Sequence, residues 1–247
     1  MPVSPITDGP WAPKLPPANW CRGMRWRGHR WRGERGERPG ICARLAGERA
    51  AEGEARMRVG VSGAHGTGKT SLVEELCAHL AGHVPVDEPY FLLEEEGYEF
   101  EFPPSLDDYR AQLRRSLRVL RSAAPRVVFD RTPLDFLAYL AALGASIESE
   151  ADPSAVRSAV ASLDLLIVTP VTAEIERVLP RPGMPRLRET VNDALLDLLS
   201  SDPLEAWGDV PVIELSGPLD GRLEAVLAAL PAHSPSQARS SGPTRFP

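Results

Sequence analysis

The stretch GAHGTGKTS, residues 63–71, follows the short apolar run MRVGVS (57–62) and precedes the amphipathic run LVEELCAHL (72–80). It matches the pattern GxxxxGK[ST], and a strand before the pattern and a helix after it are the context that the pattern requires. Glycines allow successive backbone N–H groups to converge on an anion, and the N-terminus of the next helix points its positive dipole end to the same place. The stretch therefore predicts a phosphate-binding loop.

The residues of this loop have different predicted tasks. Lys69 is expected to reach the β- and γ-phosphates, and the hydroxyl of Thr70 is expected to bind Mg²⁺. His65 occupies a variable position of the motif, where we expect a loop residue and not a catalyst. Many protein classes share this loop, so it does not separate a kinase from a GTPase, a motor or a switch. The expected nucleotide-binding residues are Gly63, His65, Gly66, Thr67, Gly68, Lys69, Thr70 and Ser71.

Short β-rich runs alternate with helical patterns along the chain, which predicts a parallel sheet covered by helices on both faces. The clearest helix is predicted at residues 105–123, where apolar residues recur every three or four positions and Ser105 and Asp108 form a capping-box pattern. Further helices are predicted at 133–144 and 222–230. After MRVGVS, the predicted strands are HVPVDE (83–88), RVVFD (126–130), DLLIVTP (164–170) and DVPVIEL (209–215). Together these elements predict one α/β domain over residues 57–230.

The two ends of the chain differ in composition from this domain. Residues 1–56 carry a net charge of +5, so the remaining residues carry −11 to give the overall −6. The first segment is rich in Arg, Trp and Pro without a helix or strand period, and we predict disorder there and in the Pro/Ser-rich tail 231–247. We favour Met57 as the natural start. The alternative is a tract that binds single-stranded nucleic acid through arginines and aromatic rings, and we do not expect that partner.

Nothing in the sequence indicates a membrane protein or a secreted one. No apolar run approaches the roughly 18 residues that cross a bilayer. The N-terminus lacks the basic start and apolar centre of a secretory signal, and the three cysteines form no CxxC pair. We therefore expect a cytoplasmic protein that does not contact a membrane.

The segment VVFDRTPLDFLAYL (127–140) indicates what receives the phosphate. Asp130 lies at the carboxyl end of a predicted strand, where an acid can hold Mg²⁺ through water, and Arg131 follows directly. The alternative is that Asp130 caps the next helix or pairs with Arg131 at the surface. A GTPase is set aside, because no NKxD-like segment follows a later predicted strand.

Together with the phosphate-binding loop, the arrangement DRxPxDxLAY resembles the P-loop kinase-like family of AAA-type ATPases that includes the ribosylnicotinamide kinase domain of the NAD regulator proteins. The resemblance spans residues 57–229 and implies a three-layer α/β P-loop NTPase with five parallel strands in the order 2-3-1-4-5. It also implies Mg²⁺-dependent transfer of the ATP γ-phosphoryl group to a small acceptor. In that reaction Lys69 and Arg131 stabilise the transferring group, and Thr70 and Asp130 hold the metal.

Two further segments fit this resemblance. The pair Glu88-Pro89 resembles a segment of deoxynucleoside kinases whose carboxylate takes the proton of the acceptor hydroxyl, and a solvated loop acid is the alternative. The segment RVLPRPGMPRLRETV (177–191) resembles the mobile, arginine-bearing lid of the kinases. Of its arginines, Arg181, Arg186 and Arg188, one of the last two is expected to act in catalysis. A plain connecting loop is the alternative there.

The nature of the acceptor follows less directly. The stretch LLEEEGYEFEF (92–102) is more acidic than suits a phosphorylated acceptor, so a neutral one such as a nucleoside is favoured. Asp135 either contacts this acceptor or is an early-helix carboxylate favoured by the helix dipole. The alternative function is a regulatory ATPase or nucleotide-dependent switch without a small acceptor. A kinase requires an enclosed cavity between Glu88, Asp130 and Asp135, whereas a switch leaves that face to a partner.

Overall fold

The computed structural model describes residues 56–178 and 184–230. The predictions for Arg181, for the tail and for the N-terminal segment up to residue 55 lie outside these residues. In chain order the elements are β1 (Met57–Ser62), α1 (Lys69–His79), β2 (Val84–Val86), α2 (Pro89–Glu95), α3 (Leu106–Ser122), β3 (Arg126–Asp130), α4 (Pro133–Ala142), α5 (Ile147–Glu150), α6 (Pro153–Val160), β4 (Leu165–Val168), α7 (Ala173–Val178), α8 (Pro185–Ser201), β5 (Val212–Glu214) and α9 (Leu219–Ala229).

The five strands form one parallel sheet in the order β2-β3-β1-β4-β5, so the predicted fold class and strand order are confirmed. In the central register Val61 of β1 pairs with Asp130 of β3, and Ser62 pairs with Val168 of β4. Because the strands are parallel, their carboxyl ends meet at one edge of the sheet. The phosphate-binding loop and Asp130 therefore lie side by side at this edge.

Helices cover the sheet on both faces and give three layers. One apolar cluster joins a face of the sheet to α1 and α9, and the other joins the opposite face to α3, α4, α6 and α8. Helix α4 is buried from Pro133 to Leu140, which agrees with the nearly continuous apolar sequence of that segment. It lies behind the carboxyl edge of the sheet and is the helix nearest to Asp130 in sequence.

Local sequence signals explain where the main helices begin. The predicted capping box at the start of α3 is present, with Ser105 and Asp108 bonded to each other's backbone N–H groups. A second capping box, formed by Thr132 and Asp135, starts α4. Helix α1 begins at Lys69, directly on the phosphate-binding loop.

The prediction of a loop over residues 177–191 is wrong for the part of this segment that the structure describes. Helix α7 continues to Val178, and α8 begins at Pro185. Proline is favoured in the first turn of a helix, and Val191, Leu195 and Leu198 give α8 a buried apolar stripe. Pro185 therefore marks a helix start and not the interior of a loop. Among the described helices none has the length and apolar character to cross a bilayer.

The centre of the sheet leaves no room at Gly60. A Cβ atom there would lie 2.6 Å from Cγ2 of Thr132 and 3.1 Å from Cδ1 of Leu163. We therefore predict that Gly60→Ala lowers the free energy of unfolding by about 1–3 kcal/mol, because the neighbours must move. Urea unfolding followed by circular dichroism measures this change.

The control is Gly221→Ala in α9, where no heavy atom lies within 4 Å of the added Cβ atom. This variant should gain about 0.5–1 kcal/mol, since alanine is the better helix former. An unchanged midpoint for Gly60→Ala would mean that Thr132 and Leu163 move aside without cost.

Candidate functional site

The phosphate-binding loop joins β1 to α1 and keeps its shape through internal hydrogen bonds. Gly63 has a φ of 152°, and a Cβ atom there would lie 2.4 Å from Oγ1 of Thr169, so only glycine fits. The Oγ1 atom of Thr67 donates to the carbonyl of Ala64 at 3.0 Å and lies 2.8 Å from Oγ1 of Thr169. The loop is thus fastened to the end of β4. Its open face carries Gly66, Thr70 and Ser71, all exposed.

Lys69 is buried beneath the loop. Its Nζ atom donates to the carbonyl of Ala64 at 2.9 Å. Burial lowers the pKa of Lys69 to about 8, with a further decrease from Arg131, while the carboxylates of Asp135, Asp130 and Glu88 act in the opposite direction. A bound phosphate would favour the charged form of this lysine. Lys69, the lysine predicted to contact the phosphates, therefore lies at the loop and can carry a positive charge there.

Thr70 and Asp130, the predicted metal ligands, are in contact. The hydroxyl of Thr70 donates to Oδ2 of Asp130 at 2.6 Å. The other oxygen, Oδ1 of Asp130, is buried and has no hydrogen-bond partner among the described residues. Burial also raises the pKa of Asp130. A buried carboxylate oxygen without a donor, next to a threonine hydroxyl, fits a hard cation such as Mg²⁺ that takes few protein ligands and keeps water and phosphate oxygens.

No group of three or more His, Cys, Asp or Glu side chains within residues 56–178 and 184–230 has the geometry of a metal cage.

Arg131 connects the loop to the neighbouring elements. Its Nε atom donates to Oε1 of Glu88 at 2.5 Å, and Nη1 donates to Oδ1 of Asp135 at 3.2 Å. Nη1 also reaches the carbonyl of Gly63 at 3.4 Å. Although burial lowers the pKa of Arg131, the carboxylate of Glu88 raises it well above its ordinary value, so the side chain is cationic. Glu88, which precedes α2, is thus held against the end of β3.

Asp135 lies below this pair and is fully buried. Besides Arg131, it accepts hydrogen bonds from the N–H of Gly63 at 3.0 Å and from the N–H of Thr132 at 2.9 Å. Oδ1 accepts from Gly63 and Arg131, and Oδ2 accepts from Thr132, so both oxygens are engaged in the interior of the domain. Of the two interpretations of Asp135, the geometry favours the early-helix carboxylate over an acceptor contact.

The two predicted lid arginines lie in different environments. Arg188, on α8, is buried, and its Nε atom donates to the carbonyl of His65 at 2.8 Å. Its Nη2 atom reaches the carbonyl of Gly66 at 3.3 Å, and Nη1 pairs with Glu176. Arg186 is exposed on the first turn of α8, and its side chain contacts no residue of the loop. Arg188 is therefore the lid arginine that reaches the phosphate-binding loop.

His65 also contacts the interior of the domain. Its Nδ1 atom lies 3.0 Å from the hydroxyl of Tyr139 on α4. The ring of Tyr139 stacks on Tyr109 of α3 at a centroid distance of 4.5 Å, and the guanidinium of Arg131 lies 5.6 Å from its centroid. His65, at a variable position of the motif, thus connects the loop to the stacked rings of Tyr139 and Tyr109.

Beside the loop lies a cavity of about 120 Å³. Arg131 and Glu88 form the side toward the loop, and aromatic rings form much of the remainder. The cavity is smaller than the roughly 300–1,000 Å³ of most ligand sites, so a ligand larger than one ring must widen it. Its lining residues are Glu88, Tyr90, Pro104, Tyr109, Gln112, Arg131, Phe136 and Tyr139. Of the three residues predicted to enclose it, only Glu88 lines the cavity, and Asp130 and Asp135 do not.

A larger, open groove of about 1000 Å³ lies between α8 and β5. It contains Asp193, Asp197, Asp202 and Glu214 together with Trp207. Carboxylates repel a polyphosphate, and the groove is lined by none of the loop residues. We therefore assign the nucleotide to the loop and not to the larger groove.

The structure brings together the predicted residues Lys69, Thr70, Glu88, Asp130 and Arg131 at one edge of the sheet. It also adds residues that sequence reasoning missed. Tyr109 and Tyr139 fell within predicted apolar stripes, and their hydroxyls were the available signal. The third is Arg222 of α9, a buried cation whose sequence signal was only its place at the start of a predicted helix; its Nη1 atom donates to the carbonyl of Thr67 at 2.9 Å.

Comparison with known proteins identifies the family and the fold. Residues 58–222 match the model of a family described as AAA domain. No curated protein sequence matches the chain. Two solved structures of the NadR protein align with it. The structure in complex with NAD and AMP-PNP aligns with a TM-score of 0.51 and 18% identity, covering 73% of this chain and 52% of that chain. The structure in complex with NR aligns with a TM-score of 0.50 and 22% identity, covering 70% of this chain and 50% of that chain.

A deoxyadenosine kinase from M. mycoides with bound dATP also aligns, with a TM-score of 0.48 at 18% identity over 70% of this chain and 98% of that chain. The chain spans about half the length of the NadR protein. At these identities the NadR alignments show a shared fold. The family match confirms the AAA-type family that the sequence motifs resembled.

The contacts of Asp135 give a stability prediction. Asp135→Asn should lower the free energy of unfolding by about 3 kcal/mol, since it removes the charge opposite Arg131 and turns one acceptor into a donor facing the N–H of Thr132. Urea unfolding of the nucleotide-free protein measures the loss.

The control, Asp107→Asn, changes a carboxylate whose side chain is 81% exposed and pairs with Arg110, and should cost less than about 0.5 kcal/mol. If Asp135→Asn were as stable as the unmodified protein, the structural role of Asp135 would be contradicted and a contact with the acceptor would be favoured.

Proposed function

The chain belongs to the AAA-domain family, and from this premise and the geometry of the loop we propose that it is a kinase. It transfers the γ-phosphoryl group of ATP, with Mg²⁺, to a hydroxyl group of a small nucleoside-like acceptor. The observation that carries this proposal is the cavity lined by Glu88 and Arg131, because Arg131 also donates to the carbonyl of Gly63 in the phosphate-binding loop. A transfer reaction requires such a second compartment next to the donor phosphate, and hydrolysis alone does not.

In this proposal Glu88 acts on the acceptor. Its side chain is 22% exposed, lines the cavity and is held by Arg131. The acceptor hydroxyl oxygen attacks the γ-phosphorus, its proton passes to the carboxylate of Glu88, and the bond from the γ-phosphorus to the bridging oxygen breaks to leave ADP. A carboxylate within reach of the acceptor hydroxyl contributes to such a transfer by orienting it and by accepting its proton.

The donor side is assigned to the loop and its neighbours. Lys69 and Arg131 stabilise the charge on the transferring phosphoryl group, and the backbone N–H groups of the loop hold the phosphates. Thr70 and Asp130 would hold Mg²⁺, which supplies charge neutralisation between the β- and γ-phosphates when it is bound. The unpartnered oxygen of Asp130 supports this assignment.

Arg188 is proposed as the lid arginine that acts on the phosphates. It already touches the carbonyls of His65 and Gly66, and a small movement of α8 would bring its guanidinium to the open face of the loop. Arg186 is the second candidate, because it lies on the same helical turn and would need a larger movement.

The lining of the cavity supports a neutral, ring-containing acceptor. Stacked Tyr109 and Tyr139 and the ring of Phe136 offer apolar faces, and Gln112 offers an amide. The acidic residues of the segment 92–102 do not line the cavity, so the preference for a neutral acceptor rests on the aromatic rings and the amide of the lining. A nucleoside has the ring, the hydroxyl group and the neutral charge that this lining suits. ATP as donor and the cytoplasm as location complete the proposal.

The decisive experiment measures ADP release from Mg-ATP by the full chain. The assay is run with and without a panel of nucleosides, nucleotides and ribosylnicotinamide. We expect one neutral nucleoside-like compound to stimulate ADP release and to appear as its phosphorylated product. Slow release that no compound changes would contradict the kinase and support the regulatory ATPase.

We predict that Lys69→Ala lowers kcat by about 10²–10³-fold, since a cation that meets the transferring charge is lost. The melting temperature and the circular dichroism spectrum should stay near those of the unmodified protein. Arg118→Ala, which removes an exposed cation from α3, serves as the control and should leave kcat unchanged. Normal turnover by Lys69→Ala would contradict the assignment of the loop.

We also predict that Glu88→Gln lowers kcat by about 10²-fold or more and changes the dissociation constant of ADP by less than about twofold. Glutamine keeps an oxygen for Arg131 but is a much weaker proton acceptor. The control is Glu95→Gln, which alters an exposed carboxylate at the end of α2, the helix that Glu88 precedes. Turnover that is equal in all three proteins would mean that another group accepts the proton.

A further inference from the structure

Arg222 is a buried arginine that reaches the phosphate-binding loop from the side opposite Arg131. It belongs to α9, which packs with α1 on the same face of the sheet, and it is 5% exposed. Its Nη1 atom donates to the carbonyl of Thr67 at 2.9 Å. Its Nη2 atom lies 3.0 Å from the position that a Cβ atom on Gly68 would take. The guanidinium therefore adjoins the residues that precede the first turn of α1.

The charge of Arg222 is not compensated by the residues around it. The other cations at the loop have carboxylate neighbours: Arg131 pairs with Glu88, and Arg188 pairs with Glu176. Among the described residues, no carboxylate pairs with Arg222. Burial lowers its pKa, and no neighbouring charge acts against that decrease. Arginine nevertheless stays protonated in proteins, so a positive charge is buried here without a counter-ion from the described part of the chain.

An uncompensated buried charge is costly, and part of its hydrogen-bonding capacity is also unused. The Nε atom of Arg222 is buried and has no hydrogen-bond partner among the described residues. The hydrogen bond to Thr67 satisfies one N–H group and provides only the partial negative charge of a carbonyl. Such an arrangement is stable where an anion supplies the missing charge and acceptors. The adjacent anion site is the phosphate-binding loop, whose N–H groups and helix terminus favour negative charge.

We infer that Arg222 is a further phosphate-binding residue, which donates charge-assisted hydrogen bonds to the polyphosphate of the nucleotide in the loop. The inference rests on the proposed function, since it requires that the loop binds a nucleotide. It assigns to α9 a direct part in binding, in addition to its packing on α1. Arginine suits this role because its fixed fork of donors can serve the carbonyl of Thr67 and a phosphate oxygen together.

A purely structural role makes different predictions. If Arg222 only fastens Thr67 to α9, its replacement should lower the stability of the nucleotide-free protein. The molecules that remain folded should then bind phosphate with unchanged affinity. If it is a phosphate ligand, replacement by neutral glutamine removes a buried unpaired charge. The nucleotide-free protein should then be as stable as before or more stable, while the polyphosphate is bound more weakly.

The test measures melting temperature without ligand and dissociation constants by calorimetry for the full-length protein. The probes are ADP, inorganic tripolyphosphate and adenosine. Arg222→Gln should weaken the binding of ADP and of tripolyphosphate by a similar factor of about ten or more, as expected for loss of a hydrogen bond to a charged group. The affinity for adenosine should be unchanged. Arg222→Lys, which keeps the charge, should recover most of the affinity for tripolyphosphate.

The matched control is Arg157→Gln, because Arg157 also donates to a backbone carbonyl, that of Leu204 at 3.0 Å, away from the loop. It should leave the three dissociation constants unchanged. Unaltered tripolyphosphate binding by Arg222→Gln would overturn the inference alone. So would a lower melting temperature of Arg222→Gln with its affinity retained. If the unmodified protein bound neither ADP nor tripolyphosphate, the proposed function would fail and the inference with it.

Discussion

The carboxylate of Asp135 is the group on which the arrangement of the site depends. It accepts hydrogen bonds from the N–H of Gly63 at the start of the phosphate-binding loop, from the N–H of Thr132 at the start of α4 and from the guanidinium of Arg131. These donors come from two segments, the start of the loop and the consecutive residues Arg131 and Thr132 between β3 and α4, and removing any of them leaves the buried charge less well compensated. The loop, the end of β3 and α4 are therefore fixed relative to one another. Lys69, Thr70 and Asp130 take their positions from the same segments.

This constraint explains the unusual backbone of Arg131. Its φ of 76° lies in the left-handed region, which costs a residue other than glycine roughly 1–3 kcal/mol. Contacts of its guanidinium offset that cost. The guanidinium pairs with the carboxylates of Glu88 and Asp135, donates to the carbonyl of Gly63 and lies over the ring of Tyr139. The left-handed turn directs the side chain back over the loop, whereas a regular continuation of the strand would carry it past the edge of the sheet. The strain is thus located where the side chain meets both the carbonyl of Gly63 in the loop and the cavity.

The sequence predicted the parts of the molecule that local patterns encode. The loop, the five strands and the capping box of α3 follow from glycine spacing, apolar runs and a Ser-x-x-Asp pattern, and strand order came from the family resemblance. The contacts of Tyr139, Arg188 and Arg222 could not be predicted, because each joins residues more than seventy positions apart, as Arg222 and Thr67 at a separation of 155 illustrate. The loop predicted from Pro185 to Val191 was wrong because a proline can open a helix as well as interrupt one.

The position of Tyr139 connects the two compartments of the proposed site. Its hydroxyl meets His65 in the loop, its ring carries Arg131, and one face borders the cavity of about 120 Å³. A molecule with a sugar and a base is larger than this cavity, so its entry must displace Tyr139 or the pair of Arg131 and Glu88. Each of these displacements also acts on the loop, because Tyr139 and Arg131 both bond to it. Acceptor entry and the geometry of the phosphate cradle are therefore linked through groups in the interior of the domain. The link runs between the loop and the cavity lined by Glu88 and Arg131.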